Sequence, residues 1–111
     1  MDKRTILNIA QKYINIVSEK YIIEKAFLFG SFAKRKEKKH SDIDIAIVLM
    51  NISDFFKVQL DLMKLRRRVD LRIEPHLFSI EDFNETNPLA SKIMKTGVEL
   101  KIKSTTAQQS A

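Results

Sequence analysis

An apolar run that halts at a Gly-Ser pair, followed by a second that resumes with alternating aspartates, constrains this chain more than any other feature. The stretch from Phe27 to Val48 reads FLFGSFAKRKEKKHSDIDIAIV. In the second run Ile43, Ile45 and Ile47 would face one side of a strand, with Asp42 and Asp44 projecting together from the other. Their Cβ atoms would lie roughly 6.5–7 Å apart, two residues of strand rise. One oxygen from each carboxylate could then reach the same hard cation, and Mg²⁺ prefers one or two protein carboxylates with waters and phosphate oxygens. Gly30-Ser31 supplies the complementary half. A strand that stops at Gly-Ser before the helix-tolerant Phe32-Ala33-Lys34 feeds the first turn of a helix. The free N–H groups there, with the Ser31 hydroxyl, suit phosphate oxygens. Gly30 has no Cβ and lets backbone and anion approach closely. Cation ligands and an anion cradle on successive strands suit a metal-bound nucleoside triphosphate.

Around this stretch the hydrophobic pattern alternates between helix and strand. Ile6, Ile9, Ala10, Tyr13, Ile14, Val17 and Tyr21 have the spacing of an amphipathic helix over 3–21. Its stripe is broad enough to pack on a sheet and touch a partner. Residues 24–29 predict a first strand and Asp42 to about Leu49 a second, joined by a charged connector from Lys34 to His40. Asn51-Ile52-Ser53-Asp54 predicts a helix start, with Ser53 or Asn51 as the cap and Asp54 in the first turn. Phe55, Val58, Leu62 and Leu65 continue at helical spacing to Arg66-Arg67-Arg68, where cations meet the negative end of the helix dipole. A third strand is predicted from Val69 to Ile73, with Asp70 on its polar face and Pro75 as its breaker. Strand, helix, strand implies a parallel crossover that sets Asp70 beside Asp44. Ser79-Ile80-Glu81-Asp82 predicts a capped helical turn, and Asn87-Pro88 opens a helix closed by Gly97. Val98 to Ile102 alternates as a last strand. The expected class is α/β (α+β), a small mixed sheet flanked by helices, in one domain over 1–103 with a disordered polar tail over 104–111.

The pairing of Gly30-Ser31-Phe32-Ala33-Lys34 with Ser41-Asp42-Ile43-Asp44-Ile45 resembles the signature of the DNA polymerase β nucleotidyltransferase superfamily. Within it, the chain is similar to the small single-domain branch called minimal nucleotidyltransferases, over roughly residues 5–102. That family usually has a glycine where this chain has Arg35. The resemblance implies attack by an acceptor hydroxyl on the α-phosphorus of a nucleoside triphosphate, ATP, with release of pyrophosphate. It implies Mg²⁺ on Asp42 and Asp44, with Asp70 as the third carboxylate, completing the metal site or accepting the acceptor's proton. Gly30 and Ser31 would hold the β/γ-phosphates and Lys34 the pyrophosphate end. Glu74, two residues beyond Arg72, is the alternative to Asp70, and Asp70 paired with Arg72 or the preceding arginines is the structural alternative. The resemblance further implies an antitoxin that adds AMP to a tyrosine of a separately encoded helical HEPN toxin. Two rivals remain: an aminoglycoside nucleotidyltransferase-like enzyme, and a non-catalytic antitoxin or binding module acting by contact through the 3–21 helix and the basic runs.

Charge and composition agree with these expectations. A formal charge of +6 on 111 residues favours anionic partners. Its basic runs lack interleaved aromatics, which argues against direct nucleic-acid binding. There is no cysteine, so thiolate metal sites and cysteine nucleophiles are excluded. No apolar run approaches the ~20 residues that span a membrane, so the expected compartment is the cytoplasm. Homo- and hetero-oligomers are both compatible with the sequence. His40, beside Ser41-Asp42, is a candidate phosphate contact. His76 follows Pro75 and is expected near a sheet edge, with no second histidine or cysteine at zinc-ligand spacing.

Overall fold

The structure is a computed structural model and describes residues 3–30 and 42–102. Helix α1 (Lys3–Ser18) leads into β1 (Ile23–Phe29), and β2 (Ile43–Leu49) precedes α2 (Phe55–Leu65) with its 3-10 extension Arg66–Arg68. Then come β3 (Ile73–Ser79), α3 (Pro88–Thr96) and the short β4 (Val98–Glu99). Among the described residues four strands form one mixed sheet in the order β3-β2-β1-β4. Strands β1 and β2 are antiparallel, β2 and β3 parallel, and β4 runs antiparallel to β1. The expected mixed sheet flanked by helices, and the parallel return after α2, are both present.

Strand alternation divides the core in two. Ile43, Ile45, Ile47 and Leu49 point into a cluster built with the buried face of α1 and with Leu62 of α2. The intervening Ala46 and Val48 point the other way, with Phe27 and Phe78, against Ala90 and Ile93 of α3. The apolar stripe of α1 is consumed in the first cluster: Ile6, Ala10, Tyr13, Ile14 and Val17 are all fully buried. The Tyr13 hydroxyl donates to the Leu62 carbonyl at 2.7 Å and ties α1 to α2. Helix α2 instead leaves Phe56 (73% exposed) and Leu60 (47%) outside, so the large apolar surface lies there and not on α1.

Several boundaries differ from the sequence expectation, each for a local reason. Helix α1 stops at Ser18, because the N–H groups of Lys20 and Tyr21 both turn back to the Val17 carbonyl. Asp54 is itself the cap of α2, its carboxylate accepting from the Lys57 N–H at 3.1 Å, in place of Ser53 or Asn51. Asn87 and Pro88 open α3 as expected, the Asn87 side chain accepting from Leu89 and Ala90. Ser79 bonds the Asp82 N–H, but it closes a turn and starts no helix. Strand β4 ends at Glu99, though the Leu100 N–H continues the pairing by donating to the Ala26 carbonyl at 2.8 Å.

The third strand is the substantial correction. Val69–Arg72 is a turn and β3 begins only at Ile73. The Val69 and Asp70 N–H groups both donate to the Arg66 carbonyl, and the Asp70 carboxylate accepts the Arg72 N–H. Asp side chains that bond the backbone two residues on favour such turns over strands. Pro75 does not break β3, because β3 is an edge strand. Ile43 donates to the Arg72 carbonyl, so even-numbered residues of β3 face β2 and Pro75 turns its missing donor outward. The Pro75 carbonyl on that outer edge accepts from Gln59 of α2 at 2.9 Å.

Candidate active site

On the α3 side of the sheet the apolar layer stops short of one end. Asp44 shares a face with Ala46 and Val48, and Glu74 and His76 share one with Phe78. The register sets Asp44 level with Phe29 on β1 and with Glu74 on β3. Asp42 is exposed and immediately precedes β2. At the C-terminal end of β1, Gly30 adopts φ +79°, and a Cβ built on it would lie 2.5 Å from Asp44 Oδ2. Glycine is required there twice, by backbone conformation and by the adjoining carboxylate.

The other Asp44 oxygen is also engaged. Its Oδ1 lies 3.0 Å from His76 Nε2. The imidazole packs edge-on against the Phe29 ring, with centroids 4.9 Å apart. Arg66 donates to the Ile73 carbonyl at 2.9 Å and lies 3.5 Å from the Glu74 carboxylate. A cavity of about 120 Å³ beside Gly30 is lined by Phe29, Leu89, Ile93 and Lys92. A larger cavity, about 540 Å³, lies between the end of α1 and α2. That is the opposite side of the sheet, so its size has no bearing on the carboxylate site.

The structure brings Asp44 and Gly30 together, with Asp42 one residue outside the strand. Asp70 is placed differently. Its carboxylate accepts from the Arg72 backbone N–H (2.9 Å), Nε (3.0 Å) and Nη2 (2.8 Å). Those bonds from Arg72, resisted by partial burial, hold the Asp70 carboxyl below the usual carboxylate range. Glu74 is the acidic residue level with Asp44 on the neighbouring strand. Among the described residues no three His, Cys, Asp or Glu side chains are grouped so as to hold a metal by themselves. Ser31, Lys34, Arg35 and His40, and the tail over 104–111, lie outside the described residues.

The sequence reading did not bring His76 to this site. Its signal was the spacing from Glu74, which makes the two share a face once β3 is extended through Pro75.

The family model described as Polymerase beta, Nucleotidyltransferase matches residues 11–106. Two proteins from Methanocaldococcus jannaschii, the candidate protein adenylyltransferases MJ0128 and MJ1217, are similar to parts of the chain. MJ0128 is 35% identical over 52 residues, which is 47% of this chain and 53% of that protein. MJ1217 is 43% identical over 42 residues, 38% of this chain and 43% of that protein. The chain thus matches about half the length of these curated relatives. Among solved structures, a candidate nucleotidyltransferase from Sulfolobus solfataricus superposes with a TM-score of 0.60 at 20% identity, covering 87% of this chain and 80% of that one. A chain from the toxin–antitoxin complex MntA–HpeT superposes with a TM-score of 0.54 at 18% identity, covering 93% and 75%. At such identities these structures establish a shared fold.

Proposed function

Because this chain belongs to the polymerase β nucleotidyltransferase family, we propose that it moves a nucleoside monophosphate, AMP from ATP, onto an acceptor hydroxyl. The observation that carries the reading is Asp44 at the head of β2, with one oxygen facing a glycine that has no room for a Cβ. An all-oxygen donor set of Asp42 and Asp44 suits Mg²⁺, and the Asp44 side chain keeps 26% of its surface exposed to a ligand. Bound there, Mg²⁺ would neutralise charge on the reacting phosphoryl group and its leaving pyrophosphate. Gly30 and Ser31 would cradle the β/γ-phosphates, and Lys34 would meet the charge that builds on pyrophosphate. The third carboxylate would be Glu74 by register, with Asp70 the alternative by sequence position. Either would accept the acceptor's proton. Glu74 is favoured, because Arg72 already occupies the Asp70 oxygens.

The acceptor in this reading is a tyrosine of a helical HEPN toxin, which the chain would silence as its antitoxin in the cytoplasm. Support comes from the likeness to the MntA–HpeT chain over 93% of this one and from relatives named for protein adenylylation. The test is incubation with labelled ATP, Mg²⁺ and a HEPN protein encoded beside the chain's own gene. Label on a toxin tyrosine is the expected result, and its absence would refute the reading. A contact-only antitoxin is the second reading, favoured by the exposed Phe56 and Leu60 of α2. Under that reading Asp44→Asn still silences the toxin and Phe56→Glu does not.

A further inference from the structure

The two oxygens of Asp44 have different surroundings, and that asymmetry assigns a role to His76. We infer that His76 is a positioning residue for Asp44: its Nε2–H donates to Oδ1 and fixes the carboxylate with Oδ2 against Gly30. This rests on Asp44 being a metal ligand. An ionised carboxylate only accepts hydrogen bonds, so the nitrogen 3.0 Å away must carry the proton. The terminal torsion of an aspartate is broad and roughly two-fold, so an unheld carboxylate samples many orientations. A donor fixed on one oxygen selects among them.

His76 can act this way because it is held itself. It sits on β3 two residues past Glu74, which is level with Asp44, and its ring packs edge-on against Phe29. Strands β1, β2 and β3 therefore each contribute one member of the row Phe29, Asp44, His76. The side chains of His76 and Asp44 remain 37% and 26% exposed, so solvent weakens the bond as a source of stability. Its effect is on direction. Partners that orient a metal-ligating group typically change metal affinity by about 10–100-fold when removed.

The experiment compares wild type with His76→Leu, which removes the donor, and His76→Gln, whose amide can restore an N–H near the Nε2 position. Mn²⁺ alone, followed by electron paramagnetic resonance, is the binding probe. ¹⁵N NMR of the metal-free protein at one fixed pH reads the imidazole tautomer. The expected result is an Nε2–H tautomer populated above the free-imidazole fraction, falling back to that fraction in Asp44→Ala. Mn²⁺ affinity should fall about 10–100-fold in His76→Leu and largely recover in His76→Gln. An Nδ1–H tautomer, or one indifferent to Asp44→Ala, overturns the pairing. Wild-type affinity in His76→Leu, or equal losses in both variants, overturns the positioning role. A wild-type protein that binds no Mn²⁺ would instead sink the metal reading, while the tautomer still decides whether His76 holds Asp44.

Discussion

Replacing Gly30 with alanine tests the contact on which the site is built. At φ +79° an L side chain is strained, which costs about 1–2 kcal/mol. The new Cβ would also sit 2.5 Å from Asp44 Oδ2 and 3.3 Å from its Cγ. Phe29 and Asp44 are paired across β1 and β2, so the backbone has little freedom to open. The carboxylate is the flexible end of its side chain and must rotate away, giving up the His76 bond and a relaxed rotamer. With both groups partly solvated, that displacement costs about 1 kcal/mol. The total is about 2–3 kcal/mol, or roughly 10–20 °C in Tm for a domain of this size. The informative measurement is a double-mutant cycle by urea denaturation. In an Asp44→Ala background the remaining neighbour is the Cβ of residue 44 at 3.5 Å, an ordinary contact. Gly30→Ala should then cost only its backbone part, leaving a coupling of about 1 kcal/mol between the two sites. Costs that add within ~0.3–0.5 kcal/mol would refute the clash.

Three further outcomes are expected. Asp42→Asn and Asp44→Asn should each keep the wild-type Tm within about 2 °C, since neither buries apolar surface. Single-turnover transfer from labelled ATP should fall on the order of a hundred- to a thousand-fold in each, and wild-type rates would remove these carboxylates from the mechanism. Tyr13→Phe should lower stability by about 1 kcal/mol in urea titrations, because the buried hydroxyl's bond to Leu62 is lost while that carbonyl keeps its Arg66 partner. Asp70 is held below its ordinary value of 3.8 by Arg72, so its stabilisation is present above that pH and lost as pH falls through the depressed value. Asp70→Asn should therefore be less stable than wild type at pH 7, with the difference closing below pH 3.8. A constant difference down to pH 2 would mean the Arg72 pairing does not act through charge.

The parts of the fold carried by local periodicity were legible in the sequence. Asp42-Ile43-Asp44 and the isoleucines beyond it have one reading at period two, and β2 begins within one residue of it. Gly30 was legible as a place for close approach, but its actual neighbour is a carboxylate on the next strand, a tertiary fact that no spacing within β1 contains. The third strand failed because two local signals competed over the same residues. Val69, Leu71 and Ile73 alternate as a strand should, yet Asp70 closes a turn on Arg72 and leaves Leu71 67% exposed. Alternation resumes only at Ile73, Pro75 and Leu77, all buried, where proline was read as a stop. That proline is tolerable solely because β3 is at the sheet edge, and edge position is a property of the strand order, not of residues 73–79. Moving the strand by four residues changes which acidic side chain stands next to Asp44. With β3 starting at Val69, Asp70 would lie beside it; with β3 at Ile73, Glu74 takes that place and brings His76 onto the same face. Glu74→Gln should then depress transfer far more than Asp70→Asn, while Asp70→Asn should be the more damaging to stability. The reverse order would return the third carboxylate to Asp70, and would require the Asp70–Arg72 pair to open when nucleotide binds.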